Sequence, residues 1–159
     1  FGVPKYDRDE KLTGVFTHEI LKKKVPLVRS MDDYVNCPHS RNTEVRLEDI
    51  LKHPELEVLA KSDEAGVLLV LNEYGSGSQV FIQGHPEYDR MTLSNEYHRD
   101  VAKGLNPALP KNYFTDNNPF SRPVLCWRNF SNTLYANWLN FYVYQNTPYE
   151  LSNNFDWVI

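Results

Sequence analysis

The sequence predicts an α/β or α+β sheet domain, and three observations carry that prediction. Short β-branched and apolar runs at 12–20, 56–61, 67–72 and 80–83 are spaced as strands, the last three as a meander. Helical periodicity comes only later, over 89–103 and 124–144. Strands first and helices after is the pattern of a sheet covered by helices. With 159 residues, 41% of them hydrophobic, the chain can bury one core of useful size.

Taken in order, residues 1–5 are apolar, carry Gly2 and Pro4, and read as the middle of a longer polypeptide. The run 12–20 alternates as a strand, 22–24 forms a solvated lysine turn, and 26–29 reads as a short second strand. Residues 32–44 are polar and rich in hydrogen-bonding side chains. A helical turn or two over 47–52 stops at Pro54. The strands 56–61 and 67–72 then lead through a Gly/Ser loop at 74–78 into 80–83. Over 89–103, Asp89 or Thr92 offers a cap, Leu93, Tyr97 and Val101 form an apolar stripe, and Gly104 ends the helix. Arg99 lies off that stripe. Pro107, Pro110, Pro119 and Pro123 make 105–123 a long ordered loop. In the second helix, 124–144, Leu134, Trp138, Phe141 and Tyr142 share a face; Thr147-Pro148 closes it, and a tail follows from Ser152.

Composition excludes several functions. Net charge is −4 and the longest basic block is Lys22-Lys23-Lys24, so no nucleic-acid surface is expected. No apolar run approaches the roughly 20 residues that span a bilayer. Cys37 and Cys126 form no CxxC or metal spacing, which fits a reducing cytoplasm. No zinc or phosphate-loop motif is present, so neither a metal nor a cofactor is expected.

The chemistry-bearing stretch is Gly84-His85-Pro86-Glu87, directly after the strand 80–83. Side chains two residues apart on extended backbone share a side, so Glu87 can accept the Nδ1–H of His85 and leave Nε2 as a base. A His-x-Glu spacing alone is more often a pair of solvated loop residues. The preceding strand and glycine give it weight, because open sheets place their sites at strand ends.

The segments Glu10-Lys11-Leu12-Thr13-Gly14, Pro38-His39-Ser40-Arg41-Asn42-Thr43-Glu44, Gly84-His85-Pro86-Glu87-Tyr88-Asp89 and Glu96-Tyr97-His98-Arg99-Asp100 resemble the homoserine O-acyltransferases that open methionine biosynthesis. So does the run from Asn137 to Tyr144, and the likeness extends in order from Phe1 to about Leu151. The resemblance implies a flavodoxin-like fold of class I glutamine amidotransferase type, a three-layer sandwich of which residues 1–151 form the C-terminal half. It implies acyl transfer from acyl-CoA to the hydroxyl of L-homoserine through a cysteine thioester, in a homodimer. His85 becomes the general base, Glu87 its orienting partner, Lys11 and Ser40 substrate contacts, and Arg99 the fork for the acceptor carboxylate.

One feature departs from the family. The nucleophilic cysteine is expected upstream of Phe1, and neither Cys37 nor Cys126 stands in a nucleophile motif. Cys37 adjoins the site segment, and Cys126 reads as a buried helix residue. Acetyl-CoA is the favoured donor and succinyl-CoA the next. Alternatives are acylation of L-serine, a glutamine amidotransferase-type hydrolase, or an inert fragment that needs its N-terminal half. Bland roles suit the remaining histidines: His39 as a structural hydrogen-bonding residue, His18 and His53 as packing or surface groups, and His98 turned away from Arg99. Read alone, Lys11 would be a solvated lysine, and Arg99 a surface partner of Glu96 at i, i+3.

Overall fold

The computed structural model describes residues 1–73 and 78–145. Five strands, β1 (Tyr6–Ile20), β2 (Tyr34–Glu44), β3 (Glu57–Ser62), β4 (Gly66–Asn72) and β5 (Gln79–Ile82), form one sheet in the order β2-β1-β3-β4-β5. Every pairing between these strands is antiparallel. Helices α1 (Leu47–Ile50), α2 (Thr92–Ala102) and α3 (Arg128–Trp138) complete a mixed α/β unit. The expected meander is β3, β4 and β5. The loop at 74–77, the Thr147-Pro148 stop and the tail from Ser152 lie outside the described residues.

The largest core cluster joins Leu59, Leu68, Leu69 and Leu71 of the meander to Phe130 and Leu134 of α3 and to Tyr142. Strand β4, flanked by β3 and β5, is buried at every position from Val67 to Asn72, as a strand covered on both faces must be. A second cluster packs Val15 and Leu93 against Tyr113, Phe114 and Trp127. It is held by the 105–123 loop, which crosses β1. Lys111 accepts from Val15 N–H at 2.9 Å and donates to Thr13 at 3.0 Å. A Cβ on Gly14 would come within 2.4 Å of the Lys111 carbonyl oxygen, so only glycine permits that crossing.

Several elements differ from the sequence expectation. Pro26–Val28 is a 3₁₀ turn with Leu27 and Val28 buried, where a strand was expected. Pro26 at its first position fixes a helical φ and removes a ladder donor. The polar 32–44 segment contains an eleven-residue strand, with Val35, Cys37 and His39 on its buried face. Helix α2 begins at Thr92 and neither Asp89 nor Thr92 caps it; Asp89 instead receives Arg128 at 3.3 Å. Of its stripe, Leu93 is buried while Val101 is 46% exposed.

Helix α3 starts at Arg128 because 123–124 is held in extended form. Pro123 bridges Phe114, and Val124 N–H donates to Tyr113 at 2.9 Å. Cys126 is exposed and precedes the helix, contrary to its reading as a buried helix residue. Its neighbour Trp127 takes the buried position and donates from Nε1 to the Tyr88 carbonyl at 2.9 Å. Beyond α3, Leu139–Val143 forms a π-helical turn that seats Tyr142 in the core.

Candidate active site

Beyond β5 the backbone keeps pairing for one residue, with Gln83 N–H donating to Leu68 at 2.8 Å. It then passes over β2. A Cβ at Gly84 would stand 2.6 Å from Cys37 Sγ and 3.0 Å from the Pro38 carbonyl oxygen, so this position admits no side chain without displacement. The next amide, His85 N–H, donates to that Pro38 carbonyl at 2.8 Å. The sheet is curled enough for the end of β5 to reach β2, its opposite edge strand.

The His85 side chain is held on two sides. Its Nδ1 lies 2.8 Å from Glu87 Oε1, and its ring stacks on Tyr88 at 4.4 Å with 9° between planes. An ionised Glu87 can only accept, so the proton sits on Nδ1 and the Nε2 lone pair is free. The imidazole is about one-third exposed (36%), enough for a reacting group to approach.

From Tyr88 a connected network runs to the other predicted residues. Tyr88 donates from its hydroxyl to Glu96 Oε1 at 3.0 Å. Ser40 donates from Oγ to Glu96 Oε2 at 2.5 Å, and Lys11 Nζ lies 3.5 Å from that same oxygen. Burial pushes the Tyr88 phenol up to about 12, reinforced by the Glu96 carboxylate. Burial would also raise Glu96, but hydrogen bonds from Ser40 and Tyr88 and the Lys11 charge outweigh it and hold the carboxyl below its usual range. Glu96 is thus an ionised hub joining β1, β2, α2 and the His85 loop.

Lys11 and Glu96 line a cavity of about 470 Å³, closed on other sides by Glu10, Tyr97, Asp100 and Pro107. Arg99 stands apart from the network. Its Nε donates to Asp100 at 2.8 Å, and the side chain is about half exposed. The i, i+3 pairing of Arg99 with Glu96 is not formed, because Glu96 is taken by Ser40, Tyr88 and Lys11.

Below the site, His39 and His18 are both fully buried and face each other with Nε2 atoms 3.1 Å apart. Arg41 Nε approaches His39 Nδ1 at 3.4 Å, so His39 carries its proton on Nε2 and His18 accepts it. Burial lowers His18 to about 4, and burial with the neighbouring His18 and Arg41 lowers His39 to about 2. Both are structural groups, as expected for His39. His98 bonds back to the Ser94 carbonyl at 2.8 Å.

The structure brings His85, Glu87, Ser40 and Lys11 into one chain of contacts. The sequence reading missed Tyr88 and Glu96, which connect them. Both stand inside the quoted motifs, but a tyrosine and a helical glutamate carry no signal of a shared partner.

Neither cysteine of the chain is placed as a nucleophile. Cys37 is sealed under Gly84, and burial pushes its thiol well above the ordinary range. Cys126 is exposed ahead of α3, and partial desolvation raises its thiol above the ordinary range. Among the described residues no group of three or more His, Cys, Asp or Glu side chains could hold a metal, and no helix is long and apolar enough to cross a membrane.

Residues 1–149 match the model of the family described as homoserine O-succinyltransferase. The chain is 53% identical over 154 residues to a homoserine O-acetyltransferase of Agathobacter rectalis, covering 97% of this chain and 49% of that protein. A homoserine O-acetyltransferase of Thermotoga neapolitana is 52% identical over 153 residues, covering 96% and 49%. The chain therefore spans about half the length of the curated relatives it matches. A glutamine amido transferase from Methylobacillus flagellatus superposes with a TM-score of 0.57 at 10% identity, over 94% of this chain and 58% of that one. That likeness speaks to the fold, which is of glutamine amidotransferase type.

Proposed function

Because the chain belongs to the homoserine O-succinyltransferase family, we propose that it supplies the base and the acceptor site of an enzyme transferring an acyl group from acyl-CoA to the hydroxyl of L-homoserine. The observation that carries this reading is the unbroken path from Glu87 through His85, Tyr88 and Glu96 to Ser40 and Lys11. The path links the His85 imidazole to Lys11 and Glu96, which line the cavity of about 470 Å³.

In the first half-reaction, His85 Nε2 takes the proton of a cysteine thiol supplied from outside these residues. The thiolate attacks the acyl-CoA carbonyl, the C–S bond to CoA breaks, and CoA leaves as its thiol with the proton from His85. In the second, His85 takes the homoserine hydroxyl proton as that oxygen attacks the thioester, and returns it to the departing cysteine sulfur. Glu87 holds the imidazole in one tautomer and stabilises the imidazolium formed in each step. Lys11 and Ser40 contact the acceptor, with Glu96 fixing both. Arg99 meets the acceptor carboxylate, since Asp100 engages only its Nε edge.

Acetyl-CoA is the favoured donor, in keeping with the names of the relatives, and succinyl-CoA follows from the family description. A cytoplasmic setting fits the two unpaired cysteines. The test is CoA release, read by a thiol reagent, from the enzyme that joins this chain to its nucleophile-bearing part. L-homoserine and L-serine would be compared as acceptors, with His85→Ala run beside the wild type. Turnover with homoserine that is lost in the variant supports the reading. Glutamine hydrolysis without acyl-CoA would replace it.

A further inference from the structure

Strand β1 pairs with β2 as Asp7–Thr43 and next as Leu12–Arg41, so five residues of β1 advance against two of β2. Such a bulge re-aims side chains beside a site. Here it presents Glu10 and Lys11 to the cavity of about 470 Å³, to which helix α2 adds Glu96, Tyr97 and Asp100. One cation and three carboxylates therefore share the wall.

The three carboxylates are not equivalent. Glu96 is spent, with Tyr88 on one oxygen, Ser40 and Lys11 on the other, and its charge offset by Lys11. Glu10 is exposed on the bulge, where an ion pair gains little over solvation. Asp100 differs from both. Its side chain is only 17% exposed, and its Oδ1 is fixed by Arg99 Nε at 2.8 Å. The Arg99 hydrogen bond and the charges of Arg99, Lys11 and Lys103 hold its carboxyl below the usual range, so Asp100 is an anion at neutral pH. That one bond leaves free its Oδ2 and both NH₂ groups of Arg99.

An α-amino acid carries its ammonium nitrogen and carboxylate carbon on one atom, about 2.5 Å apart. Arg99 and Asp100 offer the complement, a donor fork and an acceptor oxygen tied side by side. The residue pair and the zwitterion are each neutral, so their union buries no net charge.

We propose that Asp100 reads the α-ammonium of the acceptor through Oδ2 while Arg99 takes the carboxylate. The proposal rests on the acyl-transfer reading for the acceptor and deepens it, making Asp100 the residue that selects an amino acid over a hydroxy acid of equal length. 4-Hydroxybutyrate has the chain, hydroxyl and carboxylate of homoserine but no ammonium. It leaves the Asp100 anion unpaired beside a bound carboxylate, a cost that turns recognition into rejection.

The test uses the enzyme that joins this chain to its nucleophile-bearing part, with acetyl-CoA and both acceptors; 4-hydroxybutyrate is read as a competitive inhibitor where it is not acylated. Asp100→Asn should lower kcat/KM for L-homoserine by about tenfold or more, mainly through KM, and leave 4-hydroxybutyrate bound as well or better. Asp100→Glu should recover part of the preference, and Glu10→Gln should reduce it less than Asp100→Asn does. Asp100→Ser carries the same expectation if a melt shows Asp100→Asn unfolded. A loss shared equally by both acceptors would make Asp100 a positioning residue for Arg99 and overturn the proposal. An unchanged preference, or one that follows Glu10, would do the same. Calorimetric titration of both acceptors without acyl-CoA separates this site from the reaction. Homoserine binding that depends on Asp100 in an enzyme that transfers no acyl group would count against the function and leave the ammonium site standing, whereas neither binding nor transfer would overturn both.

Discussion

Ser40 Oγ donates to Glu96 Oε2 across 2.5 Å, and this one bond ties strand β2 to helix α2. Lys11 and Tyr88 converge on the same carboxylate, so a single side chain sets the distances between three predicted substrate or base elements.

Glu96→Gln is accordingly expected to act on the acceptor more than on the thioester step. The amide presents an NH₂ donor where either the Ser40 or the Tyr88 hydroxyl now donates, and Lys11 loses its anion. The KM for L-homoserine should rise tenfold or more with a smaller change in kcat. Stability should fall by about 1.5–3 kcal/mol, as for a lost hydrogen bond to a charged group. Steady-state kinetics and a denaturant melt read the two effects separately.

Glu87→Gln keeps the side chain's shape but removes the charge that stabilises the imidazolium. Acyl transfer should fall by about two to four orders of magnitude, with the unfolding midpoint nearly unchanged because Glu87 is more than half exposed. Burst kinetics with acyl-CoA alone would place the loss in the first half-reaction as well as the second.

Gly84→Ala should damage both fold and site. The added methyl meets Cys37 Sγ, Leu68 Cδ1 and the Pro38 carbonyl, all within 3.0 Å. A destabilisation of about 1–3 kcal/mol is expected for overpacking at such a position. Pairing it with Cys37→Ala should recover part of the loss, which thermal melts of the single and double variants would show.

Arg99→Ala should leave stability within about 0.5 kcal/mol of the wild type, as for an exposed residue. It should raise the KM for homoserine strongly, and Arg99→Lys should recover only part of that, since a single ammonium cannot form the bidentate pair. An unchanged KM would remove Arg99 from the acceptor site.

The buried pair makes stability depend on pH. In the unfolded chain both histidines titrate near about 6.5, whereas in the fold His18 is lowered to about 4 and His39 to about 2. Below the unfolded value the unfolded state binds more protons, so stability falls as pH drops from about 6.5 toward 4. Each histidine contributes a slope of up to about 1.4 kcal/mol per pH unit. Melting temperatures from pH 7 to pH 4.5 should show the decline, and a His18→Phe variant should flatten it.

Much of this was legible in the residues themselves. The β3–β4–β5 meander announces itself through long apolar runs, and the His85–Glu87 pair through its place after a strand and a glycine. Strand β2 was hidden because its buried face carries Cys37 and His39, and its other face carries Ser40, so no apolar alternation survives. The 3₁₀ turn at Pro26 was mistaken for a strand because Pro26, Leu27 and Val28 suit either form in so short a run. The start of α3 was misplaced because the contacts that hold 123–124 extended come from residues 113–114, in the preceding loop. Long-range partners of that kind also explain why Glu96 was passed over.

The hydrogen bond from His85 N–H to the Pro38 carbonyl bears on when the protein becomes competent. Hairpins of neighbouring strands close quickly, whereas a contact across the whole strand order waits until the intervening loops have been ordered. A chain that has formed only the β3–β4–β5 meander still lacks this tether, and with it the surface on which Gly84 is seated. The seat of Gly84 and His85 is therefore expected to form after the meander, and hydrogen exchange during refolding should protect the His85 amide later than the amides of β4.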